Sequence, residues 1–290
     1  MRITTMEKRQ LALIAVIAAI LIFGIKLVAY FISDSVALLS DALESIVNIA
    51  ASGLMYYSVC ISDRDPDSDH KYGHQKIEDI SSMLEGILIL VAALLIVATA
   101  IERLFEPISL FELDVAIAIS MFATSINAGL SVVLIKTSKD CGSTALEGDA
   151  KHLFSDVISS IAVWVGLIVA QLSGWVFIDS ALAFVVAVFI IRIGVKLCVK
   201  SSNRLMDQSC KDEEKKIMGV LDRHAFNFFD FHDLKTRRHG NQILGELHLS
   251  VDGSLSVKQA HDLTDHLEEE LKKEQPNVNI IIHVEPASEK

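Results

Sequence analysis

Two pairs of polar residues stand out because each interrupts a stretch of sequence that is otherwise apolar. His152 and Asp156 lie four residues apart, and Glu44 and Asn48 have the same spacing in an earlier stretch. Residues at positions i and i+4 share one face of a helix, so each pair would point two possible ligands for a metal ion or a proton in one direction. Ionisable groups at membrane depth cost about 2.5–3.5 kcal/mol each on insertion scales, so they usually have a partner or a water-filled path. The two pairs therefore indicate an ion site inside a membrane.

The composition is typical of a helical integral membrane protein. Hydrophobic residues make up 51% of the chain and aromatic residues only 7%, so the apolar content is mostly Ile, Leu, Val and Ala in long runs. A helical span needs about 20 such residues. The predicted spans lie near 9–32, 36–61, 78–102, 111–136, 146–173 and 177–200. Six spans would place both ends of the chain on the same side of the membrane.

Lysine and arginine residues indicate the orientation of these spans. Both flanks of the apolar region and the loops after the second and fourth spans are rich in Lys and Arg, whereas the opposite loops offer only Arg103. The positive-inside rule then predicts that both termini and the basic loops are cytoplasmic. The compact spans and the absence of a recognisable targeting signal predict a multi-pass protein of a cell inner membrane or plasma membrane.

The sequence changes character after Arg204, where charged residues become frequent. Periodicity over 207–290 predicts the order helix, strand, strand, helix, strand. Ser256 followed by Gln259 predicts a capping box at the start of the second helix. The predicted fold is therefore an α-helical transmembrane domain at 1–206 followed by a C-terminal cytosolic α+β domain with αββαβ order. A domain of this size has a marginal core, so dimerisation or metal binding is expected to support it.

Histidines are concentrated in the predicted tail domain. In its strands, the alternation of side chains would place His248 on one face with Glu246 and Ser250, and His283 on one face with Glu285. This polar face offers ligands for a metal ion, and the alternative is that its histidines are solvated surface residues. Solvated surface positions are expected most for three other histidines of the tail, His224, His239 and His266.

Several segments together resemble the cation diffusion facilitator family of divalent metal/proton antiporters, and in particular its bacterial zinc and iron efflux members. They are SVALLSDALESIVNIAAS (35–52), DPDSDHKYGHQKIE (65–78), GDAKHLFSDVISS (148–160) and the tail pieces HDLKTRRHG and IIHVEP. The resemblance covers nearly the whole chain. It implies a homodimer in the lipid bilayer, in which each protomer has a transport site between spans two and five and a metallochaperone-like cytosolic domain.

The resemblance assigns the transport site to Glu44, Asn48, His152 and Asp156. The family usually has His or Asp at the first of these positions and Asp at the second, so Asn48 replaces an ionised ligand by a neutral carbonyl oxygen. Glu44 and Asp156 would still supply two negative charges, and four ligands suit a tetrahedral ion. Asp41 lies on the same helical stripe and could be a ligand, support a ligand or begin the helix. The alternative for His152 and Asp156 is a buried ion pair that only joins helices.

The resemblance also implies two further metal sites and one charge pair. The loop after span two would bind a metal ion through Asp67, His70 and His74. The tail domain would bind metal at the dimer contact through His232, His248, His261, His283 and Glu285. Lys76 and Asp207 would form a charge pair between the membrane domain and the tail.

These observations predict a secondary active transporter that exports a divalent transition-metal ion from the cytoplasm in exchange for protons. Metal ligands must be deprotonated, so a proton arriving from the acidic side would compete for His152, Glu44 and Asp156. A tetrahedral site with a nitrogen ligand favours zinc, while its oxygen ligands leave iron, manganese, cadmium and cobalt open. The alternatives are a cation channel and a membrane-anchored metal sensor or scaffold.

No enzymatic activity is predicted. The sequence contains no Gly-rich phosphate loop, nucleophile elbow or Walker-type motif, so neither catalysis nor ATP-driven pumping has a basis in it. A nucleic-acid partner is not predicted either. The divalent ion, with Zn²⁺ favoured, would be both the substrate and a structural or regulatory ligand of the tail.

Overall fold

The structure is a computed structural model that describes the backbone of residues 5–33, 36–105, 113–173 and 177–287. Near several helix ends only the backbone is described. The side chains of Asp41 and Glu44, two candidates for the transport site, therefore lie outside the described residues. The chain divides into two compact units, Met1–Ser202 and Asn203–Lys290, which are described separately below.

The first unit is built from long helices, the last of which continues into the second unit. They are α1 (Thr5–Ser33), α2 (Val36–Ser62), α3 (Ile77–Phe105), α4 (Leu113–Cys141), α5 (Thr144–Ser173) and α6 (Phe177–Leu205). Each corresponds to one of the predicted spans, because apolar runs of this length satisfy their backbone hydrogen bonds in lipid only as helices.

Five of these helices contain a described stretch that is long and apolar enough to cross a membrane. The stretches are Glu7–Val28, Ser45–Ser62, Ile77–Glu102, Met121–Cys141 and Ala181–Leu205. Helix α5 differs because its described first half is polar, and it contains the predicted pair of His152 and Asp156. The predicted helical membrane domain is confirmed.

Helix α5 lies among three other helices of the unit, α2, α3 and α4. Apolar residues of α1, α2, α4 and α5 form one buried cluster that includes Met55, Leu134 and Leu146. Small residues allow close approach elsewhere: a Cβ on Gly86 of α3 would lie 2.6 Å from the sulfur of Cys198 on α6. This packing holds the polar face of α5 inside the unit.

A buried polar network joins the ends of several helices near the loops that follow α2 and α4. The ammonium group of Lys8 on α1 contacts the carboxylate of Glu78 on α3, and it lies 3.5 Å from Oδ1 of Asp63 after α2. The hydroxyls of Ser62 and Ser143 both donate to Glu78. One buried carboxylate therefore ties together α1, α2, α3 and the segment that begins α5.

The second unit has the predicted αββαβ order. Its elements are α7 (Lys211–Arg223), β1 (Asp230–His239), β2 (Gln242–Val251), α8 (Val257–Glu274) and β3 (Val278–Pro286). The sheet order is β1-β2-β3, with β1 antiparallel to β2 and β2 parallel to β3. The expected capping box is present: Ser256 Oγ accepts from the Gln259 N–H, and the Gln259 side chain accepts from the Ser256 N–H.

Side-chain alternation in the sheet separates a core face from a polar face, as predicted. Leu247 and Leu249 are fully buried and pack in one cluster with Leu267 and Leu271 of α8. The residues that alternate with these leucines along β2, such as His248, point to the opposite face. The register pairs His232 with His248 and His248 with His283, so three adjacent strands each place one histidine in the same row.

Candidate metal centres

Helices α2 and α5 bring three of the four predicted transport-site residues together. Oδ1 of Asn48 lies 3.1 Å from Nε2 of His152, and Nδ2 of Asn48 donates to Oδ2 of Asp156 at 2.9 Å. His152 is only 3% exposed. Glu44 precedes Asn48 by one helical turn on α2, but its side chain lies outside the described residues. The proposed ion-binding role of these residues stays a prediction.

The hydrogen bonds of Asn48 place a hydrogen on Nε2 of His152 in this arrangement. A carboxylate oxygen can only accept, so the amide nitrogen of Asn48 must face Asp156 and its oxygen must face the imidazole. The amide oxygen also only accepts, so Nε2 of His152 must donate. A metal ion can bind Nε2 only after this hydrogen leaves that nitrogen, which also removes the hydrogen bond to the Asn48 amide oxygen.

A small cavity lies beside this group. Its volume is about 10 Å³, room for about one water molecule or ion. It is lined by residues of α1, α2, α4 and α5, among them Ala15, Ser45, Asn48, Ser52, Asn127 and Leu153. Polar groups of Ser45, Asn48 and Asn127 therefore border a space at the depth of the candidate ligands.

Two fully buried carboxyl groups near the transport site were not identified from the sequence. Asp149 on α5 accepts a hydrogen bond from Ser52 on α2 at 2.9 Å, and Glu85 lies on α3. A signal for both was available. Asp149 precedes His152 by three residues and Asp156 by seven, which places all of them on one helical stripe, and Glu85 is an ionisable residue inside a predicted span.

The loop between α2 and α3 brings Asp67, His70 and His74 together. Nδ1 of His70 lies 3.1 Å from Oδ1 of Asp67, and Nε2 of His74 lies 3.2 Å from Oδ2 of Asp67. Gly73, with φ of 90°, provides the tight turn expected between the imidazoles. The His70 backbone N–H donates to Asp67 and lowers the pKa of that carboxyl group. Asp67 is thus kept ionised, as a metal ligand must be.

The polar face of the tail sheet brings together a third group of candidate ligands. One ligand atom each from His232, His248 and Glu285 lies within 4.8 Å of the other two. Glu285 lies 3.2 Å from Nε2 of His232 and 3.4 Å from Nδ1 of His248. The His283 ring centroid is 4.8 Å from that of His248. The row of histidines across three strands accounts for this arrangement.

His261, Lys76 and Asp207 are not brought into these groups by the described contacts. His261 lies on α8, where its Nε2 is 3.4 Å from Oδ2 of Asp265. Asp207 lies 3.1 Å from Nη1 of Arg237 within its own unit. A role for His261 at a dimer contact and a charge pair between Lys76 and Asp207 both stay predictions.

Comparisons with known proteins identify the family. The model of the cation efflux transmembrane domain matches residues 12–206, and that of the cytoplasmic domain of cation efflux proteins matches residues 211–287. An uncharacterized transporter of Synechocystis is 34% identical over 96% of this chain and 90% of its own length. The cation-efflux pump FieF of Pectobacterium atrosepticum is 29% identical over 96% of this chain and 92% of its own.

Among solved structures, the metal-bound C-terminal domain of the CzcD transporter from Thermotoga maritima is 37% identical. The match covers 26% of this chain and 87% of the CzcD domain, with a TM-score of 0.25. The two family models together account for both units of this protein. The chain therefore belongs to the cation diffusion facilitator family and is a membrane transporter for the efflux of metal cations.

Proposed function

We propose that this protein exports a divalent transition-metal ion from the cytoplasm in exchange for protons, and that zinc is its preferred ion. The observation that supports this most is the meeting of Asn48, His152 and Asp156 from two helices inside the helical unit. A buried group of this kind is suited to holding one ion between two elements that move relative to each other.

The ligand types favour zinc. His152 offers a nitrogen, Asn48 and Asp156 offer oxygens, and Glu44 on the same face of α2 supplies the fourth ligand in this proposal. Four ligands of mixed nitrogen and oxygen type suit tetrahedral Zn²⁺. Two carboxylates balance the two charges of the ion, so the loaded site is neutral in a region where charge is costly.

The hydrogen bonds of these residues support proton exchange. Nε2 of His152 carries a hydrogen toward Asn48 in the described arrangement, and this hydrogen must leave Nε2, either to solvent or to Nδ1, before a metal ion binds there. A proton that binds Nε2, Asp156 or Glu44 in turn excludes the metal ion from that ligand. On the side of the membrane with the higher proton concentration, reprotonation of the ligands would release the ion. Metal and proton therefore compete for one site, which is the requirement for exchange.

The second unit is proposed to hold two protomers together on the cytoplasmic side. Its polar sheet face offers His232, His248, His283 and Glu285 to a metal ion, and His261 of α8 would add a ligand at the dimer contact. Metal binding there would stabilise the dimer by mass action, by about 2.7 kcal/mol at a concentration a hundredfold above the dissociation constant. Both termini would be cytoplasmic, as the basic loops indicate.

The test is ion flux through the purified full-length protein in liposomes. A panel of divalent ions is added outside, a pH gradient is imposed, and an enclosed metal-sensitive dye reports entry. The proposal predicts that zinc accumulates inside only when the interior is more acidic, and that reversing the gradient prevents this accumulation. Zinc entry that is independent of the pH gradient would instead support a channel, and no entry of any ion would contradict the proposal.

A further inference from the structure

Glu85 is a buried carboxyl group that the transport site does not use. It lies on α3 and is fully buried, and within the described part of the chain neither of its oxygens has a hydrogen-bond partner. Helix α5 packs directly on it, because a Cβ placed on Gly148 would lie only 3.0 Å from Cγ of Glu85. Glycine at position 148 thus allows the α5 backbone to approach this side chain.

The approach of Gly148 to Glu85 brings the ionisable face of α5 next to this residue. Asp149 directly follows Gly148, and His152 and Asp156 lie about one and two turns further along the same face. Asp149 is also fully buried; one of its oxygens accepts from Ser52 of α2, and the other has no hydrogen-bond partner among the described residues. On the side of α6, the thiol of Cys198 packs beside the residue that follows Glu85. Glu85 therefore lies against the α5 backbone beside Asp149, whose carboxyl group is linked by Ser52 to the helix that carries Asn48.

A carboxyl group in this position binds a proton strongly when the transport site is empty. Burial without hydrogen bonds disfavours the charged form, and neighbouring negative charges disfavour it further. A divalent ion beside Asp156 reverses the second effect, because two positive charges attract an ionised Glu85. Carboxyl groups that interact in this way share their protons, so the charge at the transport site controls how many protons the whole cluster holds.

We propose that Glu85 is a proton-binding residue of the exchange cycle, which holds a proton while the transport site is empty and releases it when a divalent ion binds beside Asp156. The O–H bond of the carboxyl group breaks, the proton passes to solvent, and the remaining carboxylate offsets part of the charge of the ion. Release of the ion restores the proton. This inference rests on the proposed function and adds to it a proton site separate from the metal ligands.

The first test counts the protons released when zinc is added to the purified full-length protein in a weakly buffered detergent solution with a pH-sensitive dye. Glu85→Gln has the shape of the protonated residue and cannot release a proton. We expect it to bind zinc and to release fewer protons per protein than the wild type, by up to one. Glu102→Gln, an exposed position on the same helix, is the matched control and should release as many as the wild type. The loop and tail sites contribute equally to all three proteins and cancel in the differences.

The second test starts from the wild-type protein and observes the carboxyl group directly. The infrared difference spectrum of the wild type with and without zinc should show the loss of a carboxylic acid C=O band, and this band should be absent from Glu85→Gln. An unchanged proton count in folded Glu85→Gln, or a wild-type spectrum without loss of such a band, would overturn the assignment.

These outcomes separate this inference from the proposed function. Wild-type protein that exchanges zinc for protons, with the same proton release in Glu85→Gln, overturns the role of Glu85 alone. Wild-type protein that fails to exchange zinc for protons contradicts the proposed function. The infrared band and its absence in Glu85→Gln would then still report whether Glu85 holds a proton.

Discussion

Asp156→Asn removes one negative charge from the proposed transport site with little change of shape. Oδ2 of Asp156 accepts a hydrogen bond from Asn48 at 2.9 Å, and an asparagine at this position retains an oxygen that can accept the same bond. The variant should therefore fold. What it loses is the charge that offsets a divalent ion inside the helical unit, leaving Glu44 as the one remaining carboxylate of the proposed ligand set.

The size of the effect follows from burial. Removing one partner from a buried charge pair costs about 3–5 kcal/mol, and every 1.4 kcal/mol is a factor of ten in binding. Zinc binding at the transport site should therefore weaken by roughly two to nearly four powers of ten. Asp156→Ala, which also removes the hydrogen bond to Asn48, should abolish transport.

The assay is zinc accumulation in liposomes at concentrations below saturation, with reconstituted amounts matched. Asp140→Asn is the control, because Asp140 is an exposed carboxylate of α4 in the same unit. We expect transport at the wild-type rate for Asp140→Asn and a loss of more than a hundredfold for Asp156→Asn. Retention of most proton-coupled zinc transport by Asp156→Asn would refute the assignment of this site.

Three other changes test separate parts of the account. Asn48→Asp adds a negative charge next to His152 and Asp156, so it should tighten metal binding, strengthen proton competition and shift the rank order among divalent ions, as measured by binding titrations at several pH values. Glu78→Gln leaves the buried ammonium of Lys8 with Asp63 as its one charged partner among the described residues, so it should destabilise the helical unit by about 3 kcal/mol, the lower end of the range for broken buried pairs. Changing His248 and His283 together to Ala should remove the zinc-dependent tightening of the dimer, as measured by sedimentation in detergent, and should reduce transport without abolishing it.

Each of these predictions has an outcome that contradicts it. An unaltered metal preference and pH dependence in Asn48→Asp would mean that Asn48 does not contact the ion. Asp41 would then be favoured as the ligand in its place. An unchanged melting temperature of Glu78→Gln, compared with Glu102→Gln as the control, would mean that the network around Lys8 contributes little. Dimerisation that responds equally to zinc in the wild type and the double variant would make the tail histidines ordinary surface residues.

Much of the fold follows from the sequence because its periodicity is strong. The long apolar runs admit only helices in a bilayer, and the alternation in QILGELHLSV and VNIIIHVEP gives the strands their two faces. The row of His232, His248 and His283 required the register of three strands, which periodicity alone does not provide. The resemblance to the family assigns these three residues to a metal site without reference to the register.

The contacts that charged groups make between different helices could not be predicted from the sequence. The pair of Lys8 and Glu78 joins residues 70 positions apart, and Glu85 meets α5 only because Gly148 lies opposite it. Helical spacing places side chains on a face of one helix, but it does not say which face of the neighbouring helix they meet. Asn48 is a similar case. The sequence shows that position 48 carries an amide, whereas the position of that amide between His152 and Asp156 depends on how α2 and α5 pack.

The most direct test of the transport site is the position of zinc itself. Crystals of the full-length protein grown with zinc should show an anomalous scattering peak between α2 and α5, about 2.0–2.2 Å from Nε2 of His152 and from a carboxylate oxygen of Asp156. The Asn48 amide would then face the ion instead of bridging those two side chains. Zinc peaks confined to the loop group and the tail sheet, with Asn48 still bonded to His152 and Asp156, would contradict the proposed site.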